Sequence, residues 1–155
     1  MPNTAAVPAR VSFVTLAVSD MPAMTRFYRQ FGWPESKFSD ESFVGFQTSG
    51  AVLGLFAATN YEAEFGAPPA LDAFKGFVLA MNLEDAERVD AAYAVMKRFE
   101  GLRVVGEPKD LSFGGRGFEF LDPEGERLGG RLGRGHVLRR ARRSHLSINS
   151  FFRSI

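Results

Sequence analysis

The chain has 155 residues, of which 45% are apolar, and this is the size of one ordinary domain or of two small modules that share a core. It contains no cysteine, which excludes disulfides, thiolate metal sites and a cysteine nucleophile. The formal net charge is +1, yet residues 127–155 hold 8 Arg and no acidic residue, whereas residues 1–126 hold all 18 Asp and Glu. Because residues 1–10 lack the features of a signal peptide and no run approaches ~18 apolar residues, we expect a soluble, cytoplasmic protein.

The first part of the chain predicts the element order β-α-β-β. Residues 11–18 are rich in β-branched and apolar side chains and predict a strand. Asp20 suits the N-cap of a helix that Gly32 ends. The apolar stripe of this helix consists of Met24, Phe27, Tyr28 and Phe31. Residues 42–48 and 51–57 predict two further strands joined by a hairpin turn.

The same order then begins again. Residues 61–74 predict a linker because they contain Gly66, Pro68 and Pro69. Residues 76–83 predict a strand, and Glu84-Asp85 opens a helix that Gly101 ends. The buried stripe of this helix consists of Val89, Ala92, Tyr93, Met96 and Phe99. Two more strands are predicted over residues 102–107 and 117–121, and the second of them leads into a tight Asp-Pro-Glu-Gly turn.

Three positions repeat at a constant spacing of 65 residues. The pairs are Phe13 with Val78, Asp20 with Asp85, and Tyr28 with Tyr93. Strand, helix start and helix tyrosine therefore repeat together, which indicates a duplicated module. Each unit is too small to bury its own sheet face, so we expect the two to close a core or a cleft between them.

Several motifs follow one another over residues 11 to about 125, which is four fifths of the chain. They are Val14-Thr15-Leu16-Ala17-Val18-Ser19-Asp20, Phe27-Tyr28, Gly32-Trp33, Val89-Asp90, Gly114-Gly115-Arg116-Gly117 and Phe120-Leu121-Asp122-Pro123-Glu124-Gly125. This ordered set resembles the vicinal oxygen chelate superfamily, which includes glyoxalase I, extradiol dioxygenases and bleomycin-resistance proteins. The resemblance implies an α+β fold of two tandem βαβββ modules, whose curled, mostly antiparallel sheet surrounds a small-molecule cleft that a homodimer often completes.

The resemblance also divides the chain. Residues 1–60 form the first module, residues 61–74 the linker and residues 75–126 the second module. Residues 127–155 are predicted to be an atypical basic tail outside the family fold, which leaves the last strand of the second module in doubt.

The superfamily holds a divalent metal through His and Glu side chains on its strands. Its first His stands immediately before the Val-Thr-Leu run, where this chain has Phe13, and the matching place in the second module is Val78 or a neighbour. Phe and Val cannot bind Zn²⁺, Fe²⁺ or Mn²⁺. The two histidines, His136 and His145, lie in the tail. We therefore predict no metal site of the family kind and no cofactor.

The tail departs from the family pattern directly after the Asp-Pro-Glu-Gly turn. Family members continue with a strand close to x-x-Trp-Glu-Val-Ala-Trp, whose Glu is a metal ligand, but residues 126–133 are rich in Arg and Gly and disfavour a central strand. Residues 126–135 can be encoded by a set of codons that, read one base later, encodes Ser-Ala-Trp-Glu-Val-Ala-Trp-Ala-Glu-Gly. This second reading contains the expected family strand. We therefore hypothesise a one-base frameshift from about residue 126 onward.

The tail also allows a different interpretation, since residues 134–143 hold five Arg. Such a patch is typical of binding to nucleic acid or to an anionic membrane. No aromatic residues are interleaved with these arginines, and the apolar residues make no clean amphipathic face. The pattern therefore disfavours nucleic acid and membrane as partners.

Gly114-Gly115-x-Gly117 is not followed by a helix, so we interpret it as the bulged start of a strand and not as a phosphate loop. Arg116 within it is a candidate partner for an anionic ligand. The other candidates for lining a ligand site are aromatic, as is typical of apolar clefts. They are Phe13, Trp33, Phe46, Phe56, Phe113, Phe118 and Phe120. No catalytic residue can be assigned from the sequence.

The first hypothesis for function is a metal-free, glyoxalase- or bleomycin-resistance-like protein that binds a small, partly aromatic molecule, as a sequestering or carrier module. The alternative is a metal-dependent lyase, isomerase or dioxygenase of the same superfamily. A third hypothesis is nucleic-acid binding through the Arg-rich tail.

Overall fold

The computed structural model describes residues 10–66, 68–69, 75–112 and 114–132, and these residues form two sheets. The first sheet has the strand order β1-β3-β2 and the second has the order β4-β7-β6-β5. The strands of the first sheet are β1 (Phe13–Val18), β2 (Phe43–Gln47) and β3 (Val52–Ala57). Those of the second are β4 (Leu79–Leu83), β5 (Arg103–Asp110), β6 (Arg116–Leu121) and β7 (Arg127–Leu132). The helices are α1 (Met21–Arg29), α2 (Ala58–Phe65) and α3 (Ala86–Met96).

The three strands of the first sheet have the same arrangement as β4, β7 and β6 of the second. The first strand of each lies parallel to the last, β1 beside β3 and β4 beside β7, and the remaining pairs are antiparallel. The first module has an isolated bridge from Glu35 to Phe46 at the edge where the second module has β5. The predicted α+β fold is confirmed, with mostly antiparallel, unclosed sheets.

The duplicated aspartates start the two corresponding helices. The Asp20 carboxylate accepts a hydrogen bond from the backbone N–H of Ala23 at 2.9 Å, and that of Asp85 accepts one from Arg88 at 2.8 Å. Each satisfies a donor that would otherwise lack a partner at a helix start, a contribution of about 1 kcal/mol.

Helix α2 overlaps the predicted linker, since its residues 61–65 belong to the segment 61–74. It ends at Gly66, whose φ of 73° is the left-handed conformation that favours glycine. None of the residues of α2 is buried, and its large apolar side chains are limited to Tyr61 and Phe65, which is a shorter apolar stripe than those of α1 and α3.

Strand β7 begins at the residue where the basic tail was predicted to begin. Arg127–Leu132 lies between β4 and β6 and pairs with both, so it is a central strand of the second sheet. Leu128 is only 1% exposed, and an added Cβ on Gly130 would lie 2.5 Å from the ring of Phe118. Tertiary pairing and this close packing therefore override the poor strand propensity of the segment. Residues 133–155, with both histidines and the five clustered arginines, lie outside the described residues.

One hydrophobic core joins the helix-covered faces of the two sheets. Phe31, just after α1, contacts two rings of the second module, Phe99 at 5.2 Å and Phe120 at 6.3 Å between ring centroids. The buried cluster consists of Leu16, Val18, Met24, Phe27, Tyr28, Val44, Phe46, Leu53, Leu55, Val89, Met96, Phe118, Phe120 and Leu128. Among the described residues, no helix has the length and apolar character needed to cross a membrane.

The turn over residues 122–126, here named the bridging turn, connects the second module to the first. The hydroxyl of Tyr28 donates to the Asp122 carboxylate at 2.9 Å, and both side chains are fully buried. The Glu124 carboxylate accepts from the backbone N–H groups of Ser19 at 2.8 Å and Asp20 at 2.7 Å. Burial raises the pKa of Asp122 above its ordinary value, although its hydrogen bonds favour the charged form.

Candidate functional site

Each sheet has one face packed on the core and one open face. On β1, Leu16 and Val18 lie in the core, so the alternation along the strand directs Phe13, Thr15 and Ala17 to the open face. On β6, Phe118 and Phe120 lie in the core, and Glu119 between them lies on the open face. The open faces are the surfaces on which a ligand could bind without disturbing the core.

On the first sheet, the ring of Phe43 lies across two glycines of the open face. A Cβ added to Gly54 would stand 2.6 Å from this ring, and one added to Gly45 would stand 3.1 Å from it. The Thr15 hydroxyl is 3.4 Å from the same position on Gly54. Glycine in β2 and β3 thus lets an aromatic ring lie flat against the backbone of the sheet.

A cavity of about 400 Å³ lies beside β1, between α2 and the segment that leads to β4. We name it the aromatic cavity, and its principal side chains are Thr15, Ala17, Tyr61, Phe65, Lys75 and Phe77. The Phe65 ring contacts Tyr61 at 4.7 Å and Phe56 of β3 at 5.7 Å, measured between centroids. Lys75 places its ammonium group 2.8 Å from the Glu126 carboxylate, which fixes the position of the cavity relative to the bridging turn.

A second, smaller cavity of about 180 Å³ adjoins the middle strands of the second sheet. We name it the β6 cavity. Its charged side chains come from three strands and comprise Glu107, Lys109, Glu119 and Arg131. Strand β5 shifts its register against β6 on both sides of Gly106, and such bulges open a sheet and redirect its side chains.

The positions at which the superfamily holds its metal do not fit a metal in this chain. Phe13 stands at the position of the first His, and Gly129 stands at that of the Glu in the last strand. Neither has an oxygen or nitrogen in its side chain, and a divalent metal requires such ligands. Among the described residues, no three His, Cys, Asp or Glu side chains lie close enough together to hold a metal ion.

The residues predicted to line a ligand site separate into two groups. Phe13 and Phe56 alternate to the open face of the first sheet, and Phe56 reaches the aromatic cavity through its contact with Phe65. Four others belong to the core side: Trp33, Phe46, Phe118 and Phe120. Of these four, Phe118 also lines the β6 cavity. Trp33 packs on Phe31 at 4.6 Å, and Phe46 is 0% exposed. The alternation in the sequence distinguishes two faces but does not say which of them the helices cover.

Arg116 lies on the helix side of β6 and not at the mouth of a cleft. Its guanidinium pairs with Asp90 of α3 at 2.8 Å and with Asp110 at 3.5 Å. These carboxylates raise the pKa of Arg116 and engage its Nε and Nη1. Phe113 lies outside the described residues.

Most of the residues that line the aromatic cavity are absent from the ligand site predicted from the sequence. Tyr61 and Phe65 are four residues apart and lie on one side of α2, a spacing that could have indicated an aromatic helix face. Arg131 lies in the segment predicted to be a basic tail outside the fold, so it is absent from the residues predicted to line a ligand site. Lys75 and Phe77 give no sequence signal of their own, because their position depends on how the two modules pack.

Comparison with known proteins agrees with this architecture. A family model described as Glyoxalase/Bleomycin resistance protein/Dioxygenase superfamily matches residues 10–129. No protein with a curated description matches the chain. A glyoxalase-related enzyme from Fulvimarina pelagi is similar with a TM-score of 0.71 and 22% identity, covering 81% of this chain and 89% of that one.

Two further solved structures have the same fold. A glyoxalase/bleomycin resistance protein/dioxygenase family enzyme from Burkholderia phytofirmans PsJN is 26% identical, with a TM-score of 0.68 over 80% of this chain and 98% of that one. A lactoylglutathione lyase from Agrobacterium tumefaciens is 21% identical, with a TM-score of 0.64 over 82% and 96%. The family match covers more than half of the chain, from just before β1 into β7. The chain therefore belongs to the glyoxalase/bleomycin resistance protein/dioxygenase superfamily.

Proposed function

We propose that this superfamily member binds a small, partly aromatic molecule in the aromatic cavity and acts as a sequestering or carrier module without the family's metal. The observation that carries the proposal is the exposure of two large rings at the mouth of a cavity. Phe65 is 56% exposed and Phe77 is 38% exposed, and both line a space of about 400 Å³. Ligand sites in proteins have volumes of about 300–1,000 Å³ and are mostly apolar.

The cavity combines apolar rings with a few polar groups. Tyr61, Phe65 and Phe77 offer faces or edges against which an aromatic ligand packs. The hydroxyls of Thr15 and Tyr61 supply hydrogen bonds that orient the ligand. Among the residues that the structure describes, the Lys75 ammonium pairs with the Glu126 carboxylate, and its remaining donors can serve a polar substituent of the ligand.

The binding experiment uses a library of aromatic fragments and observes the ¹⁵N-labelled protein by NMR. We expect amide shifts to change around Thr15, Tyr61 and Phe65, and we expect Phe65→Ala to weaken the best fragment about tenfold, as the loss of one packed ring costs about 1.4 kcal/mol. Val95→Ala is the matched control, because Val95 is 58% exposed and lies on α3. Equal fragment affinity in the two variants would contradict the placement of the ligand in this cavity.

The metal-free part of the proposal is supported by Phe13 and Gly129 at the two ligand positions. Elemental analysis of the purified protein for Zn, Fe, Mn, Ni and Co tests it directly. We expect less than stoichiometric metal. A stoichiometric metal would instead support a lyase, isomerase or dioxygenase, and substrates of those enzymes would then be tested.

The frameshift hypothesis is a separate proposal, and the nucleotide sequence of the gene tests it. Sequencing should show one base lost or gained near the codon of residue 126 relative to close relatives. A restored reading would place Glu at position 129, but the His that Phe13 replaces would remain absent. The expectation of a metal-free protein therefore applies to both versions of the chain, and elemental analysis of both tests it.

We also propose that the protein is a cytoplasmic homodimer. Support comes from β5, which within the described residues is the edge strand of the second sheet, and on which Val104 and Val105 are 44% and 45% exposed. Exposed apolar residues on an unpaired edge are suited to cover by a second copy of the chain. Light scattering after size-exclusion chromatography should give twice the monomer mass of 17.1 kDa, and a monomeric mass would contradict the proposal.

A further inference from the structure

We infer that the β6 cavity is a binding site for a small anionic group, a carboxylate or a phosphate, and that Arg131 is its principal ligand. This inference does not depend on ligand binding in the aromatic cavity, which has a different set of lining residues. It concerns the chain with Gly129 and Arg131. A frame-restored version would have Glu at position 129 and Ala at position 131, and it would lack the site. It concerns the place where the superfamily keeps a metal ligand. Here that place contains a cationic side chain.

The guanidinium of Arg131 lies beside the position of the missing metal ligand. Gly129 stands at the position of the superfamily's Glu, and a Cβ added to Gly129 would lie 4.0 Å from Nη2 of Arg131. The side chain of Arg131 thus lies along the sheet over Gly129, on the same face as Glu119. A cation bound here would be repelled by the guanidinium, whereas an anion would be attracted to it.

The charged groups of the cavity are unequally paired. Glu119 forms an ion pair with Arg127, in which Nη1 of Arg127 lies 2.6 Å from the Glu119 carboxylate. Glu107 accepts a hydrogen bond from the Tyr93 hydroxyl at 3.3 Å. Within the part of the chain that the structure describes, neither Arg131 nor Lys109 forms an ion pair or a side-chain hydrogen bond. The acids of the cavity thus have partners, and its two bases offer unused N–H donors.

The shape of the cavity limits the size of the anion. Three of its lining residues are Gly106, Gly117 and Gly130. Gly117 and Gly130 are buried, whereas the space beside Gly106 is open. The volume of about 180 Å³ corresponds to on the order of six waters at their liquid volume. This space suits one carboxylate or phosphate group, which the planar fork of Arg131 can bind through two parallel hydrogen bonds.

The test is an NMR titration of the ¹⁵N-labelled full chain with inorganic phosphate and, separately, with malonate, at constant ionic strength set with sodium chloride. We expect saturable changes in the amide signals of Gly117, Gly129 and Gly130. Arg131→Gln should weaken binding about tenfold or more, because a charge-assisted pair of hydrogen bonds is lost. Arg131→Lys should restore part of it through the charge alone.

Arg26→Gln is the matched control, since it removes the same charge from an exposed arginine on α1 that forms no ion pair among the described residues. Arg127→Gln provides a second, independent variant. It leaves Glu119 without its partner, so that this carboxylate turns to Arg131 and competes with the anion, and binding should weaken. Equal affinity of the Arg131→Gln and Arg26→Gln proteins would overturn the site, and so would shifts that rise linearly without saturation. Response to phosphate but not malonate, or the reverse, identifies the anion class and supports the site.

Discussion

Tyr28→Phe is the perturbation for which the structure gives the clearest expectation. The substitution removes one hydroxyl that donates to Oδ2 of Asp122 at 2.9 Å, in a place where both side chains are 0% exposed. The other oxygen, Oδ1, accepts from the backbone N–H groups of Glu124 and Glu126. The change therefore leaves Oδ2 buried without this donor, while the ring contacts of residue 28 with Phe27 and Phe46 are kept.

A hydrogen bond to a charged, buried acceptor contributes about 1.5–3 kcal/mol to stability. For a chain of this size each kcal/mol corresponds to roughly 2–4 °C, so the melting temperature should fall by about 3–12 °C. The measurement is urea unfolding together with differential scanning calorimetry of Tyr28→Phe. The duplicated module supplies the control: Tyr93→Phe removes a hydroxyl whose bond to Glu107 is longer, at 3.3 Å.

We expect the control substitution to cost less than about 1 kcal/mol, as is usual for polar contacts near the surface. A double-mutant cycle with Asp122→Asn should show coupling of roughly 1 kcal/mol or more between the hydroxyl and the carboxylate. If Tyr28→Phe and Tyr93→Phe lose the same stability, or if the cycle shows no coupling, the buried bond does not hold the modules together and the reasoning fails.

Two further predictions concern the same turn. Burial and the nearby Asp122 carboxylate raise the pKa of Tyr28 well above its ordinary value, so the folded chain keeps a proton that the unfolded chain loses near pH 10. The free energy of unfolding should therefore keep its full value below about pH 10 and decrease as the pH rises further. Urea unfolding between pH 9 and 11 should show a smaller decrease for Tyr28→Phe than for the unchanged chain. Glu124→Gln should lower stability by about 1 kcal/mol, because an amide replaces the charge that accepts two backbone N–H groups at the start of α1. Its control is Glu84→Gln, since Glu84 precedes α3, its side chain is 80% exposed and, among the described contacts, it pairs only with Arg88. Equal unfolding midpoints for the two variants would contradict the role of Glu124.

The parts of the fold that depend on local chemistry could be predicted from the sequence. Asp20 and Asp85 start their helices through contacts within four residues, and together with two other residue pairs at the same spacing of 65 they indicate the duplication. The resemblance to the superfamily rests on such local motifs, and the family match confirms it. Strand β7 could not be predicted in the same way, because its stability comes from β4 and β6, which lie far away in the sequence.

The candidate site was harder to predict for a related reason. Phe118 and Phe120 alternate as a half-buried strand should, but only the position of α3 shows that their side is the core. The proposed role of Arg131 as an anion ligand depends on two contacts between strands. Strand β6 places Glu119 opposite Gly129, and Arg127 pairs with the Glu119 carboxylate. A sequence pattern describes the residues of one strand, whereas the β6 cavity depends on the register in which β5, β6 and β7 pair.

The bridging turn has a consequence for the order of events during synthesis. Ser19 and the carboxylate of Glu124 that it binds are 105 residues apart in the chain. The N-terminal end of α1 therefore lacks this acceptor, and Tyr28 lacks Asp122, until the ribosome has translated nearly all of both modules. Contacts of such long sequence separation slow folding and leave a partly exposed intermediate in the meantime. We expect the first module to remain a transient, aggregation-prone state on its own and to reach its final structure only together with the second.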